Sequence, residues 1–151
     1  MHTKPLLTLF ALWCVLWIPS LSAQEIVINR NDEGRIVSSS HRVLDANDHL
    51  AVLITYNYDS LGIVETRMLQ SYDRYDRPLR KEIYTADEYL LYTEENRYDR
   101  HGNRTRCIQT TYDEEGRPTH NTYRYRYTRR SDGSYRLVGI RLNGTEVPFE
   151  E

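Results

Sequence analysis

Cysteine, lysine, tryptophan and phenylalanine are all scarce in this 151-residue chain. Of the two cysteines, Cys14 lies in an apolar N-terminal stretch, which leaves Cys107 alone in the remainder. A lone thiol excludes a disulfide framework within the chain. It leaves three readings: a packed small hydrophobe, an intermolecular bridge or a nucleophile. Trp13, Trp17 and Phe10 also belong to the N-terminal stretch, so Phe149 is the one large apolar ring beyond it. The core of the remainder must therefore come from aliphatic side chains and from the 13 tyrosines. Lysine occurs only as Lys4 and Lys81, against 18 arginines. From residue 24 onward, 19 basic groups less 22 acidic ones give a formal charge of −3. That balance gives no general electrostatic case for nucleic acid or for an anionic membrane. The longest uncharged apolar stretch, Leu6 to Ile18, spans 13 residues, short of the roughly 20 that a spanning helix needs.

That stretch has another explanation. Lys4 precedes it, Pro19 ends it, and Ser20, Ser22 and Ala23 follow. A charged region, a short apolar region and small residues in that order predict a cleaved signal peptide over residues 1–23. Leu12 and Trp13 place bulky side chains before Cys14, so no lipobox surrounds it. The expectation is one β-repeat domain over residues 24–151, secreted to the periplasm or the cell exterior, with no transmembrane segment after cleavage.

The main signal in that domain is internal repetition, the first thing to look for in a chain of unknown fold. Tyr58-Asp59-Ser60-Leu61-Gly62 recurs as Tyr98-Asp99-Arg100-His101-Gly102 and as Tyr112-Asp113-Glu114-Glu115-Gly116. Looser copies place the last slot at Gly34, Asp48, Asp76, Glu88 and Gly133. Successive slots are then 14, 14, 14, 12, 14, 14 and 17 residues apart. An Asp early in a turn accepts hydrogen bonds from backbone N–H groups two residues on. Gly in the last slot supplies a positive φ, and Asp tolerates it next best. Pro78 and Pro118 fall where a strand begins, a position that tolerates proline.

The segments between the turns read as strands. They include Ile26 to Ile28, Ala51 to Tyr56, Ile63 to Leu69, Lys81 to Tyr84 and Thr119 to Tyr127. In the last, Tyr123, Tyr125 and Tyr127 alternate with Arg124 and Arg126, a period of two. Strand, tight turn, strand is a β-meander. No segment after residue 23 has a helical period. Glu82 to Glu95 comes nearest, yet Tyr84, Tyr89, Tyr92 and Thr93 favour a hairpin there. The predicted fold is all-β: an antiparallel meander of eight or nine strands, either a single curled sheet or an up-and-down barrel.

The segments Tyr98-Asp99-Arg100-His101-Gly102-Asn103-Arg104-Thr105 and Tyr112-Asp113-Glu114-Glu115-Gly116-Arg117-Pro118 resemble the YD repeats of the RHS family. In that family such turns join the strands of a long spiralling sheet. The resemblance runs from about Arg30 to Gly133, strongly at three turns and loosely at five. It implies turn chemistry and, at most, carbohydrate binding. This chain has a shorter period than the family and too few repeats to enclose a cargo, and no toxin domain is recognisable in it. The family's shell-forming role is therefore not carried over.

Catalytic and metal-binding patterns are not apparent. His41, His49, His101 and His120 are scattered, with no two-ligand metal spacing among them or with Cys107. Cys107 and His120 can meet across neighbouring strands, but no motif supplies an orienting partner or an oxyanion site. Asn29 to Gly34 mimics the start of a calcium loop but has Ser40 where the twelfth-position acid belongs. Asn103-Arg104-Thr105 and Asn143-Gly144-Thr145 match glycosylation acceptors. No catalytic residue, metal site or cofactor is predicted. The candidate ligand surface is Arg117, Tyr123, Arg124, Tyr125, Arg126, Tyr127, Arg129 and Arg130, where Arg beside Tyr suits sugars, phosphates or bases. The same side chains also suit a solvated outer face paired with Asp113, Glu114 and Glu115. The leading expectation is a non-catalytic binding module for a glycan or an envelope protein. The alternative is a structural protein that assembles through its sheet edges, and a third reading is a Cys107-dependent enzyme.

Overall fold

In each repeat a strand of eight or nine residues must reverse within a handful more. The computed structural model describes residues 25–148, and residues 1–23, predicted above as a signal peptide, lie outside them. Ten strands run in chain order: β1 (Glu25–Arg30), β2 (Ile36–Leu44), β3 (Leu50–Tyr58), β4 (Val64–Tyr72), β5 (Pro78–Thr85), β6 (Leu90–Tyr98), β7 (Arg104–Tyr112), β8 (Pro118–Arg129), β9 (Tyr135–Leu142) and β10 (Thr145–Val147). They form one open sheet in the order β1 to β10, and every neighbouring pair is antiparallel. The described residues contain no helix, and Glu82 to Glu95 is a hairpin. The sheet does not close into a barrel: β1 and β10 stand at opposite edges, and the three residues of β10 are too few for a full seam.

The turns explain this regularity. In the turn after β3, Gly62 N–H donates to Asp59 O at 3.1 Å and Asp59 N–H donates to Ile63 O at 2.9 Å. The same pair of bonds recurs at turns beginning with Asn31, Asp45, Asp73, Thr85, Asp99, Asp113 and Arg130. This is a tight turn followed by one residue in the left-handed region, the three-residue hairpin loop with a glycine bulge. Every slot marked in the sequence has a positive φ, from 57° at Asp76 to 87° at Gly133. Asp59 Oδ1 accepts the N–H groups of Leu61 (2.8 Å) and Ile63 (2.9 Å), and Asp45, Asp73, Asp99 and Asp113 do the same in their own turns. These carboxylates are occupied by turn backbone.

The tenth strand comes from a different turn. Asn143 (φ 51°) and Gly144 (φ 95°) make a two-residue loop between β9 and β10. Asn-Gly with both angles positive matches the right-handed twist of the flanking strands.

The sheet has no covering layer among the described residues. Cys107 is the one fully buried hydrophobe there, while Ser39, Thr55, Thr93, Asn96 and Thr110 are buried polar groups. Stability rests on the ladder and on cross-strand pairs, each contributing roughly 0.2–1 kcal/mol. Examples are Ser40 with Thr55 (3.0 Å) and Asn57 with Thr66 (3.0 Å).

Candidate ligand-binding faces

Strand alternation gives the sheet two faces of different chemistry. On β7, Cys107 points to one and Arg106 to the other. Register places Glu94, Asn96, Tyr98, Tyr123, Tyr125 and Tyr127 on the Cys107 face, and Thr93, Glu95, Arg97, Arg124, Arg126 and Arg141 on the Arg106 face. Turn tyrosines divide in the same way. Tyr58, Tyr84 and Tyr112 project from the Arg106 face at one end of the strands, and Tyr72 and Tyr98 from the Cys107 face at the other. Tyr58 Oη is 2.9 Å from Ser39 Oγ, and Tyr98 Oη donates to Pro78 O at 2.9 Å.

The candidate ligand surface read from the sequence therefore lies in several places. Tyr123, Tyr125 and Tyr127 share the Cys107 face and are half-buried. Arg124 and Arg126 point the other way and are exposed. Arg126 lies over Gly139, where an added Cβ would fall 3.1 Å from Nη2. Arg117 is held at its own turn by Asp113 (2.8 Å) and Glu115 (2.7 Å). Arg129 ends β8 on the same face as Tyr127, and Arg130 opens the β8–β9 turn at the end of the strands away from Arg117. A period of two cannot bring adjacent Arg and Tyr onto one surface of a single sheet.

Arg does stack on Tyr, but from other strands. The Arg104 guanidinium lies 4.6 Å from the Tyr125 ring centre, and that of Arg77 lies 4.8 Å from Tyr98 and 4.9 Å from Tyr75. Both arginines sit just past a turn slot, Asp76 or Gly102. After Gly102 the bulge shifts the register, so that Arg104 pairs with Tyr98 and joins the tyrosine face. A plain count of alternation does not reveal this position.

Between these stacks lies a polar network. Glu94 accepts from Tyr92 Oη (2.9 Å), Asn96 Nδ2 (2.9 Å) and Gln109 Nε2 (3.3 Å), with Arg104 Nη1 at 4.0 Å. Burial works against its charge. The hydrogen bonds from Asn96, Tyr92 and Gln109, with the Lys81 charge, outweigh burial and hold the carboxyl below its usual range. Burial, then the bond to Glu94, pushes the Tyr92 hydroxyl up. The Cys107 thiol is pushed up to about 11 by burial and then by Glu94. His120 lies on the opposite face from Cys107, with Nδ1 2.9 Å from Thr110 Oγ1, so the two do not meet.

Beside Tyr98, an open cleft of about 540 Å³ lies between the 73–77 and 99–103 turns, lined by Tyr75, Arg77, Arg100 and His101. A cleft of about 680 Å³ at the other end of the strands is lined by Tyr89, Leu90, Leu91 and Tyr112. Among the described residues no group of His, Cys, Asp and Glu is arranged to hold a metal, and no helix is long and apolar enough to cross a membrane.

No family model matches the chain, and no curated protein matches it. Solved structures match it only weakly, and two of them are as follows. One is the GtfA/B complex bound to UDP and GlcNAc, at 14% identity and a TM-score of 0.32, over 69% of this chain and 25% of that one. The other is a protein of unknown function, BF3112, from Bacteroides fragilis NCTC 9343, at 11% identity and a TM-score of 0.19, over 80% and 93% of the two chains. This chain thus spans a quarter of the first structure's length. Neither likeness carries an argument about activity.

Proposed function

We propose that this chain is a non-catalytic β-repeat binding module, secreted to the periplasm or the cell exterior, that holds a glycan on its Cys107 face. It is a short stand-alone relative of the YD-repeat proteins in this reading. The observation that carries the binding surface is Arg104 stacked on Tyr125 beside the Glu94 network. Half-buried rings offer flat apolar surface to a sugar. Fixed carboxylate, amide and guanidinium groups at their edges offer hydrogen bonds of set direction. Secretion rests on the signal-peptide reading of residues 1–23.

A glycan array with the purified chain tests this reading, followed by titration of any hit against Tyr125→Ala with Arg104→Gln and against Arg124→Ser with Arg126→Ser. The first variant is expected to lose binding and the second to keep it. An array without hits, or loss confined to the second variant, contradicts the reading.

The edge strand β1 favours a second reading, assembly through sheet edges. Its Ile26, Val27 and Ile28 are exposed, at 55, 40 and 52%, and edge backbone invites another strand. Light scattering across concentrations separates the two, since a strict monomer counts against assembly.

A further inference from the structure

The Arg106 face carries a feature that the glycan reading leaves unused. Arg97 pairs with Arg106, Arg106 with Arg124 and Arg124 with Arg141, so four arginines stand side by side across β6, β7, β8 and β9. Like charges directly opposite one another in a sheet are destabilising. Only the end of the row is neutralised: Arg141 Nε donates to Glu146 Oε1 at 3.1 Å. Glu95, two residues before Arg97 on the same face, is held by Arg80 at 3.2 Å. Among the described residues the side chains of Arg97, Arg106 and Arg124 make no hydrogen bond or ion pair, and Arg106 Nε is buried without a partner. Arg97 and Arg106 also line a depression of about 210 Å³ with Leu79, Ile108 and the Arg80–Glu95 pair. The chain as a whole is net negative, at −2, so this concentration of positive charge is local.

We propose that this row is a binding site for an anionic polysaccharide, lying across the strands with successive acidic groups on successive arginines. Neighbouring strands are about 4.8 Å apart, close to the length of one pyranose residue in an extended chain. A guanidinium offers paired donors that match a carboxylate or a sulfate. Single-stranded nucleic acid would need aromatic rings to stack its bases, and no aromatic side chain belongs to this row. Tyr123, Tyr125 and Tyr127 lie on the other face. The site is independent of the glycan surface on the Cys107 face.

The test is binding of the full chain to polygalacturonate, which carries carboxylates, and to dextran sulfate, with neutral dextran and poly(dT) as controls. The triple variant Arg97→Gln, Arg106→Gln, Arg124→Gln is compared with a charge-matched one, Arg35→Gln, Arg74→Gln, Arg100→Gln, which leaves the row intact. Should the first variant fold poorly, Arg97→Gln with Arg124→Gln, both exposed, replaces it. The expected result is salt-sensitive binding to one acidic polymer, lost about tenfold or more in the row variant and nearly unchanged in the control. The polymer that binds identifies the acidic group. Removing Arg124 alone should leave the thermal midpoint without polymer unchanged or raise it. Binding to neither polymer, equal loss in both variants, or equal binding to poly(dT) overturns the proposal. Loss of array binding on the Cys107-face variant leaves this result unaffected, so the two readings fail separately.

Discussion

Arg104 and Tyr125 sit on adjacent strands with the guanidinium 4.6 Å from the ring centre, and Arg104 also reaches Asn96 Oδ1 at 3.5 Å. A half-exposed cation over an aromatic face contributes about 0.5–1 kcal/mol. Replacing Arg104 by Ala should therefore lower unfolding stability in urea by about 1 kcal/mol. Arg124→Ala, on the opposite face and without a partner, should be neutral or stabilising. Equal losses for the two would mean that the faces are not distinguished as described.

The turn slots make a second prediction. At Gly62, φ is +80° and no atom lies within 4 Å of an added Cβ, so Gly62→Ala tests backbone conformation alone. It should destabilise by about 1 kcal/mol. The reverse changes, Asp76→Gly and Glu88→Gly, relieve positive φ angles of 57° and 65°. They should be close to neutral, because relief of strain offsets the extra freedom of an unfolded glycine. Thermal or urea unfolding of the three variants reads this directly.

Acid should loosen the turns. The N–H groups of Asn47 and His49 hold the Asp45 carboxyl below its ordinary 3.8, and the backbone N–H and side chain of Arg117 do so for Asp113. A depressed folded value means stability that is full above the unfolded value and lost as pH falls through the folded one. The thermal midpoint should be level above about pH 5 and drop below about pH 4. Asp113→Asn should flatten part of that drop.

Cys107 should be inert in the folded protein. Its thiol is 1% exposed and pushed up to about 11, which leaves almost no thiolate at neutral pH. Iodoacetamide should label it only after denaturation. Rapid labelling of the native chain would reopen the Cys107-dependent enzyme reading.

The turns were legible in the sequence because their chemistry is local. A positive φ favours Gly or Asp at the slot, with Glu88 the exception, and the slot spacing then sets strand length. The hairpin in place of a helix at Glu82 to Glu95 followed from its Tyr and Thr content. The last strand is the one the repeat does not announce: Asn143-Gly144 falls outside the slot pattern, and its hairpin signal is the Asn-Gly pair alone. Nearness in sequence does not define a ligand surface here. In a single sheet Tyr125 and Arg126 point to opposite sides, and the Arg97–Arg106–Arg124–Arg141 row assembles residues 44 positions apart through register alone. The ring partner Arg104 depends on a bulge that shifts alternation by one, which no count of periodicity reveals.

The 13 tyrosines are built-in reporters on both faces, and ring-labelled tyrosine NMR during titration with an array-identified glycan tests the binding account most directly. The prediction is that ring signals of Tyr92, Tyr98, Tyr123, Tyr125 and Tyr127 shift together while those of Tyr58, Tyr84 and Tyr112 stay in place. Shifts confined to the second group, or spread evenly over both, would contradict it.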